Sequence, residues 1–193
     1  MAHDKLSVVN MALLKTALPL AASLDDFDYN IGLVFENVAT EALRTHAWNF
    51  ARRFRQLEAS ALGAVSGYKH AYFLPQDAAL IIDVRAENDI RAPKGRFETD
   101  GNLVYCNCSP CYARYVRLEL DPARWTADFA NAVASRIAAE IAGLSAEKIA
   151  MIPQLMQLYD YWLARAMAND AREQTERVPL DDSLYAMRSG NEK

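Results

Sequence analysis

The sequence predicts a mainly α-helical protein. Helices from both ends of the chain form a bundle, and a small antiparallel β region is inserted between them in the sequence and lies beside the bundle. Apolar residues recur every three or four positions near both ends, as they do along one face of a helix. The middle of the chain changes to short β-branched and alternating runs, which are typical of strands. Neither terminal pair of helices can bury its apolar stripe alone, so the two pairs should pack on each other.

The apolar stripes predict four helices. They lie at about residues 5–18, 28–45, 126–143 and 154–176. Pro19 should end the first helix because proline lacks the backbone N–H that a continuing helix needs. Gly143 suits the position that follows the third helix.

The predicted β insertion covers about residues 48–120. Residues 79–86 (ALIIDVRA) and 113–120 (ARYVRLEL) have the composition or alternation of strands. Asp100–Gly101 lies between two extended segments, and this dipeptide favours a tight hairpin turn. Residues 1–177 are therefore expected to form one domain, and residues 178–193 a separate C-terminal tail without periodicity.

Composition excludes several classes of protein. The 193 residues are 52% hydrophobic and 24% charged, which favours a globular chain over a disordered one. The net charge of −4 rules out a basic field over the whole protein, so nucleic acid could be held only by a local patch. No run reaches the ~18 apolar residues of a membrane span. Asp4, Asn10 and Lys15 interrupt the apolar N-terminus, so we interpret it as an amphipathic helix and not as a signal peptide.

No catalytic or cofactor-binding residues are predicted. The glycines are scattered and form neither of the common phosphate-binding motifs. The acidic residues Asp25, Asp26, Glu140 and Glu147 are interpreted as turn residues or solvated faces. A cell-wall hydrolase would need two carboxylates that converge in a cleft, and nothing in their spacing indicates this. We therefore expect that the protein is not an enzyme.

Three cysteines lie close together, at Cys106, Cys108 and Cys111. Closely spaced thiolates can bind zinc, but a fourth ligand is missing because the three histidines are far away in the sequence. We interpret the cysteines as reduced thiols in a cytosolic setting and predict no metal; a zinc site is the first alternative and a redox pair the second.

Residues 45–57 (THAWNFARRFRQL) mix aromatic and basic side chains. The arginines at 52, 53 and 55 could neutralise phosphates while the aromatic rings stack on bases. The Trp-x-Phe spacing of Trp48 and Phe50 also suits a packed segment, and arginine beside aromatics is common in protein–protein interfaces. We favour packing, with Trp48 and Phe50 as structural anchors. Phe129 and Trp162 on the late helices are expected to be buried anchors as well.

The order of several short motifs resembles that of a known family. The segments VVNMALLKTAL, SLDDFD and EALRTHAWNFARRFRQL are followed by GYKHAYFLPQDAALIIDV, RFETDGNLVY, DPARWTADFANAVASRIAAEIA and YDYWLARAMANDAREQ. Together they resemble the head-to-tail adaptor proteins of short-tailed phages, which include the tail tubular protein A type and a tail accessory factor. The resemblance spans roughly residues 6–173, and each motif is short. CNCSPC has no counterpart in the family pattern, and the loop LPLAASL lacks the usual glycine.

The resemblance implies a structural protein of the virion, made in the host cytoplasm and located at the head–tail junction. About twelve copies would form a ring beneath the portal protein, extend the DNA channel and present a platform to the downstream tail (nozzle) protein. DNA would pass through the ring without sequence-specific binding, and no membrane would be involved. The alternative from another class is a small nucleic-acid-binding or regulatory domain that uses the patch at residues 52–55.

The tail at residues 178–193 is expected to dock on the portal or on a neighbouring subunit. A short segment without a pattern for burial within the domain can order itself by wrapping over a partner. The predicted apolar anchors are Leu180, Leu184 and Tyr185, with Arg177 and Arg188 at the rim.

Overall fold

The computed structural model describes residues 3–27, 29–61 and 67–173. The helices are α1 (Lys5–Lys15), α2 (Ile31–Arg44), α3 (Ala127–Gly143) and α4 (Ile152–Glu173). The strands are β1 (Arg52–Gln56), β2 (His70–Phe73), β3 (Ala78–Arg85), β4 (Phe97–Asp100), β5 (Leu103–Cys106) and β6 (Tyr112–Arg117). Short 3-10 turns connect several of these elements. The predicted tail, with Arg177, Leu180, Leu184, Tyr185 and Arg188, lies outside the described residues.

The prediction of a mainly α-helical fold is wrong. Of the described residues, 46% are helical and 20% are in strands, and these strands form two three-stranded antiparallel sheets, so the fold is α+β. The β region occupies the expected part of the sequence, but it is far more than a small insertion. Its extent was underestimated because β1 (RRFRQ) is short and charged and lacks the apolar alternation by which strands are recognised.

The four helices share one core, with α3 at its centre. Eleven of the seventeen residues of α3 are buried, most of them alanines that let neighbouring helices approach closely. Helices α1, α2 and α4 all pack against α3. Buried side chains from both ends of the chain, such as Val9 and Leu155, belong to the same cluster. The terminal helices therefore do pack on each other, around an alanine-rich axis.

The first helix is shorter than predicted, and its ends have local causes. Asp4 caps the N-terminus by accepting a hydrogen bond from the backbone N–H of Ser7 at 2.7 Å. At the other end, Thr16 Oγ1 donates to the carbonyl of Leu13 at 3.0 Å. Ala17 then has a φ of 52°, in the left-handed region, so the chain leaves the helix before Pro19 is reached. The second helix is capped by Asn30, whose side chain accepts a hydrogen bond from the N–H of Leu33.

The first sheet lies against the helical core and has the strand order β1-β6-β3. The central strand β6 pairs antiparallel with both neighbours, placing Arg53 opposite Tyr115 and Asp83 opposite Arg114. Two irregularities in β3 turn Ala79 and Ile82 toward the helices. The guanidinium of Arg44, at the end of α2, donates to the carbonyl of Ala79 at 3.1 Å and joins the two layers.

The second sheet has the strand order β2-β5-β4 and packs on the first sheet away from the helices. The hairpin predicted at Asp100–Gly101 is present between β4 and β5, and Gly101 has a positive φ of 57°. The chain crosses between the sheets directly after β1. The N–H of Leu57 donates to the carbonyl of Cys111, directly before β6, and residues 58–60 then pair with β2. Segment 45–60 therefore contacts the helices and both sheets.

Candidate functional site

The aromatic half of segment 45–57 lies inside the protein. The Trp48 side chain is completely buried, and its indole N–H donates to the carbonyl of Ala42 at 3.1 Å. Its ring centroid lies 4.9 Å from that of Phe129 on α3 and 5.8 Å from that of Phe50. Phe50 is partly buried against the same core. These three rings fasten the start of the first sheet to the central helix.

A buried carboxylate on α4 fixes the polar groups of the same segment. Asp170 is only 2% exposed. It accepts a hydrogen bond from the backbone N–H of Asn49 at 2.9 Å, and His46 Nε2 lies 3.1 Å from its other oxygen. The side-chain amide of Asn49 also donates to the Asp170 carbonyl at 2.7 Å. Asp170 thus ties α4 to a turn that comes more than a hundred residues earlier in the sequence.

Two of the three arginines in segment 45–57 are engaged inside the chain. Arg52 donates to the carbonyl of Ala47 at 2.7 Å. Arg53 donates to the carbonyl of Arg52 at 2.8 Å, and its guanidinium lies 3.9 Å from the carboxylate of Glu119. Arg55 is exposed near the end of β1. Arg52 and Arg53 therefore make hydrogen bonds and an ion pair within the chain, and Arg55 is the arginine of this segment that is exposed to solvent.

Glu119 is the centre of a cluster of arginines that the sequence did not reveal. Its carboxylate is 5% exposed and pairs with Arg117, with Arg124 at 3.6 Å and with Arg53 at 3.9 Å. The carbonyl of Glu119 also accepts the indole N–H of Trp125 at 2.7 Å. A buried carboxylate needs such partners because an unpaired buried charge is strongly unfavourable. The cluster joins β1, β6 and the turn that precedes α3.

A second buried carboxylate lies in the first sheet. Asp83 is 3% exposed, and its oxygens lie 3.0 Å from Arg85 Nε and 2.7 Å from Arg114 Nη2. Sequence reasoning placed this residue in a strand but gave it no role. The available signal was an acid within the apolar run ALIIDVRA, because a carboxylate buried in a strand requires a cationic neighbour.

The cysteines lie in the core between the two sheets. All three are buried free thiols, and the sulfurs of Cys106 and Cys111 are 3.5 Å apart. The hydrogen bond with Cys111 lowers the pKa of the Cys106 thiol to about 7. The same hydrogen bond raises the pKa of Cys111, and burial raises the pKa of Cys108. Within the described ranges, no group of three or more His, Cys, Asp or Glu residues is arranged to hold a metal ion.

The four predicted anchors have different environments. Trp48 and Phe129 are completely buried and Phe50 is partly buried. The expectation that Trp162 lies buried between the helix pairs is wrong. Its ring is only partly buried, packs beside the exposed Tyr161 and lies under the guanidinium of Arg165 at 5.2 Å. Trp162 shares the face of α4 that carries the buried Leu155, Tyr159 and Ala166, so its helical phase agrees with the prediction. The packing around this position nevertheless leaves the ring only partly covered.

A cleft of about 660 Å³ lies beside the exposed Arg55. The β2–β3 connection and the β4–β5 turn form the rest of its wall, which includes Phe73, Asp77 and Asn102. Asp77 accepts a hydrogen bond from Tyr115 at 3.2 Å. The residues described around the cleft include no Ser, Cys, Thr or His, so it offers no hydroxyl or thiol nucleophile with an adjacent base.

None of the helices in the described part of the chain combines the length and apolar character needed to cross a membrane. Comparison of the chain with protein-family models and with curated proteins finds no match.

Proposed function

We propose that the protein is a structural head-to-tail adaptor, or connector, of a short-tailed phage. In this proposal, copies of the chain form a ring of about twelve beneath the portal protein and extend the channel for DNA. The other side of the ring receives the downstream tail protein. The protein would then belong to the virion, at the junction between head and tail, and would perform no chemistry.

The observation that carries the proposal is the packing of segment 45–57, which belongs to the motifs that resemble the adaptor family. Its aromatic side chains, Trp48 and Phe50, fasten the first sheet to α3, and Asp170 fastens its polar groups to α4. The segment is thus a rigid joint between a helical layer and a two-sheet layer. A rigid joint suits a subunit that keeps its shape while it transmits load between neighbouring rings.

The charge distribution also supports a channel protein over a nucleic-acid-binding domain. DNA that must slide during ejection is hindered by a strongly basic wall, because each phosphate contact holds it. The net charge is −4, and Arg53 and Arg52 are engaged by Glu119 and by backbone carbonyls. The alternative reading as a DNA-binding patch would rest mainly on Arg55, and one exposed arginine supplies little affinity.

Electron microscopy of the purified chain mixed with portal rings from the same phage tests the proposal. We expect an additional ring of density on one face of the portal, with the symmetry of the portal or close to it. The matched control is the chain without residues 178–193, which should remain folded and should add no density. Portal rings that remain bare at a large excess of folded wild-type chain would contradict the proposal. A salt-sensitive shift of free DNA by the isolated chain would favour the nucleic-acid alternative.

A further inference from the structure

Two sheet edges remain open among the described residues. Strand β1 pairs only with β6, and strand β4 pairs only with β5. The other two outer strands are covered by their own chain. Residues 58–60 pair along the outer side of β2, and the N–H of Gly95 donates to the carbonyl of Val84 at the outer side of β3. An open edge presents backbone donors and acceptors that can pair with another strand.

The two open edges carry opposite charge. Strand β1 (RRFRQ) contains three arginines and no acid; Arg52 and Arg53 are engaged within the chain, so the exposed Arg55 is the main charge offered to a neighbour. Strand β4 (FETD) contains Glu98 and Asp100 and no base. The end of β1, at Arg55 and Gln56, is exposed, as are the last three residues of β4. Arg96 lies just before β4 and beyond the residues that pair with β5.

This distribution selects one pairing over the others. Two β1 strands placed side by side would bring arginines opposite arginines, and two β4 strands would bring acids opposite acids. Like charges at directly opposed positions destabilise a strand pair, whereas opposite charges stabilise it. Each edge thus repels an identical edge of another copy and attracts the edge of opposite charge.

We propose that β1 of one copy pairs with β4 of the next copy. The contact would join the first sheet of one subunit to the second sheet of its neighbour, with strand order β3-β6-β1 continuing into β4-β5-β2. Because the two edges differ, the contact is head-to-tail, and successive contacts close into a ring when the rotation between copies permits it. The ring rests on the proposed adaptor function, but the strand pairing does not.

Cross-linking of two different single-cysteine additions tests the pairing directly. One variant carries Gln56→Cys at the end of β1, and the other carries Thr99→Cys in β4. The native cysteines are buried, so a short bis-maleimide should react mainly with the added thiols. We expect covalent dimers in the mixture of the two variants and few in either variant alone, because β1 meets β4 and not another β1. Equal yields in all three samples, or none in the mixture, would overturn the proposal.

Reversal of the charges supplies an independent readout. Arg55→Glu or Glu98→Arg should each weaken self-association by about tenfold, as measured by sedimentation, because attraction at the edge becomes repulsion. A mixture of the two variants should associate again, since each altered edge now meets a complementary one. The matched controls are Arg172→Glu and Glu147→Arg, which change the net charge equally at exposed positions away from both edges. Failure of the mixture to recover, or an equal loss in the controls, would show that the edges do not pair.

The two proposals fail separately. If wild-type chain adds to portal rings and Arg55→Glu adds equally well, the edge pairing is wrong and the adaptor function stands. If the chain never adds to portal rings but its self-association follows the charge reversals, the adaptor function is wrong and the edge pairing stands. A wild-type chain that remains monomeric at every concentration, with and without portal, would overturn the edge pairing as well.

Discussion

His46 Nε2 lies 3.1 Å from Oδ2 of Asp170, a residue 124 positions later in the sequence. Through this contact and the two hydrogen bonds with Asn49, the last described helix holds the turn that leads into the first strand. The contact joins the segment after α2 to the C-terminal half of α4, so it holds together two parts of the chain that are far apart in the sequence.

Replacement of Asp170 by alanine should therefore destabilise the protein. The N–H of Asn49 would lose its acceptor in a part-buried place, which typically costs about 1–3 kcal/mol of the free energy of unfolding. Urea denaturation of the variant measures the loss. Asp160→Ala, at an exposed position of the same helix, is the control and should change stability by less than about 0.5 kcal/mol. Equal stability of the two variants would show that the Asp170 contacts contribute nothing.

Trp48 and Trp162 should contribute differently to the stability of the protein. Trp48→Ala removes a completely buried ring and should cost about 3–5 kcal/mol, enough to lower expression in soluble form. Trp162→Ala removes a partly exposed ring outside the main core and should cost about 1 kcal/mol. Thermal melting of both variants under the same conditions decides the order. A larger loss for the Trp162 variant would contradict the packing described for α4.

Gly95 lies against the cysteine cluster and leaves no room for a side chain. A Cβ atom at this position would lie 2.5 Å from the sulfur of Cys108 and 3.4 Å from a methyl group of Val84. Gly95→Ala should therefore destabilise the protein by about 1–2 kcal/mol through overpacking. Addition of Cys108→Ala should recover part of the loss, since it removes the atom that clashes. If the loss of stability in the double variant equals the sum of the losses in the two single variants, the contact between Gly95 and Cys108 does not cause the effect.

The thiol pair should make stability depend on pH. The pKa of Cys106 is lowered in the folded protein, from 9.0 to about 7, through the hydrogen bond with Cys111. The folded protein therefore loses the Cys106 proton at a lower pH than the unfolded chain does. The stabilisation of the folded state by the Cys106 thiolate grows as the pH rises from about 7 toward 9. The raised pKa of Cys111 has the opposite sign and lowers stability above its unfolded value near 9. Denaturation of wild type and Cys106→Ser under reducing conditions should show the rise between pH 7 and 9 in the wild type alone. Parallel pH profiles would exclude an ionised Cys106.

The tail provides a test of attachment to the portal. Deletion of residues 178–193 should leave the described domain folded, because none of its core residues is removed. We expect the shortened chain to lose attachment to portal rings in a pull-down, since Leu180, Leu184 and Tyr185 are the proposed apolar anchors. A control with Leu180, Leu184 and Tyr185 replaced by serine in the full-length chain should show the same loss. Undiminished binding of the shortened chain would assign attachment to another surface.

The sequence by itself determined the four helices and their order, together with the β4–β5 hairpin. The repeat of apolar residues at helical spacing depends only on neighbours within a few turns, so α3 can be located from Phe129, Val133 and Ile137. The Asp-Gly dipeptide is equally local, because the turn requires a positive φ that glycine adopts without strain. Helix ends were less accurate where the cause was a single residue such as Ala17.

Only the tertiary structure decided the size of the β region and the roles of the charged residues. Strand β1 is stabilised by β6, a partner distant in the sequence, so its own residues need not show the apolar alternation of a strand. The carboxylates of Asp83, Glu119 and Asp170 resemble surface acids in the sequence. Folding places each beside an arginine, a histidine or a backbone N–H from another element. The partner of a buried charge is set by how the elements pack in space, and the spacing of residues along one chain does not specify that packing.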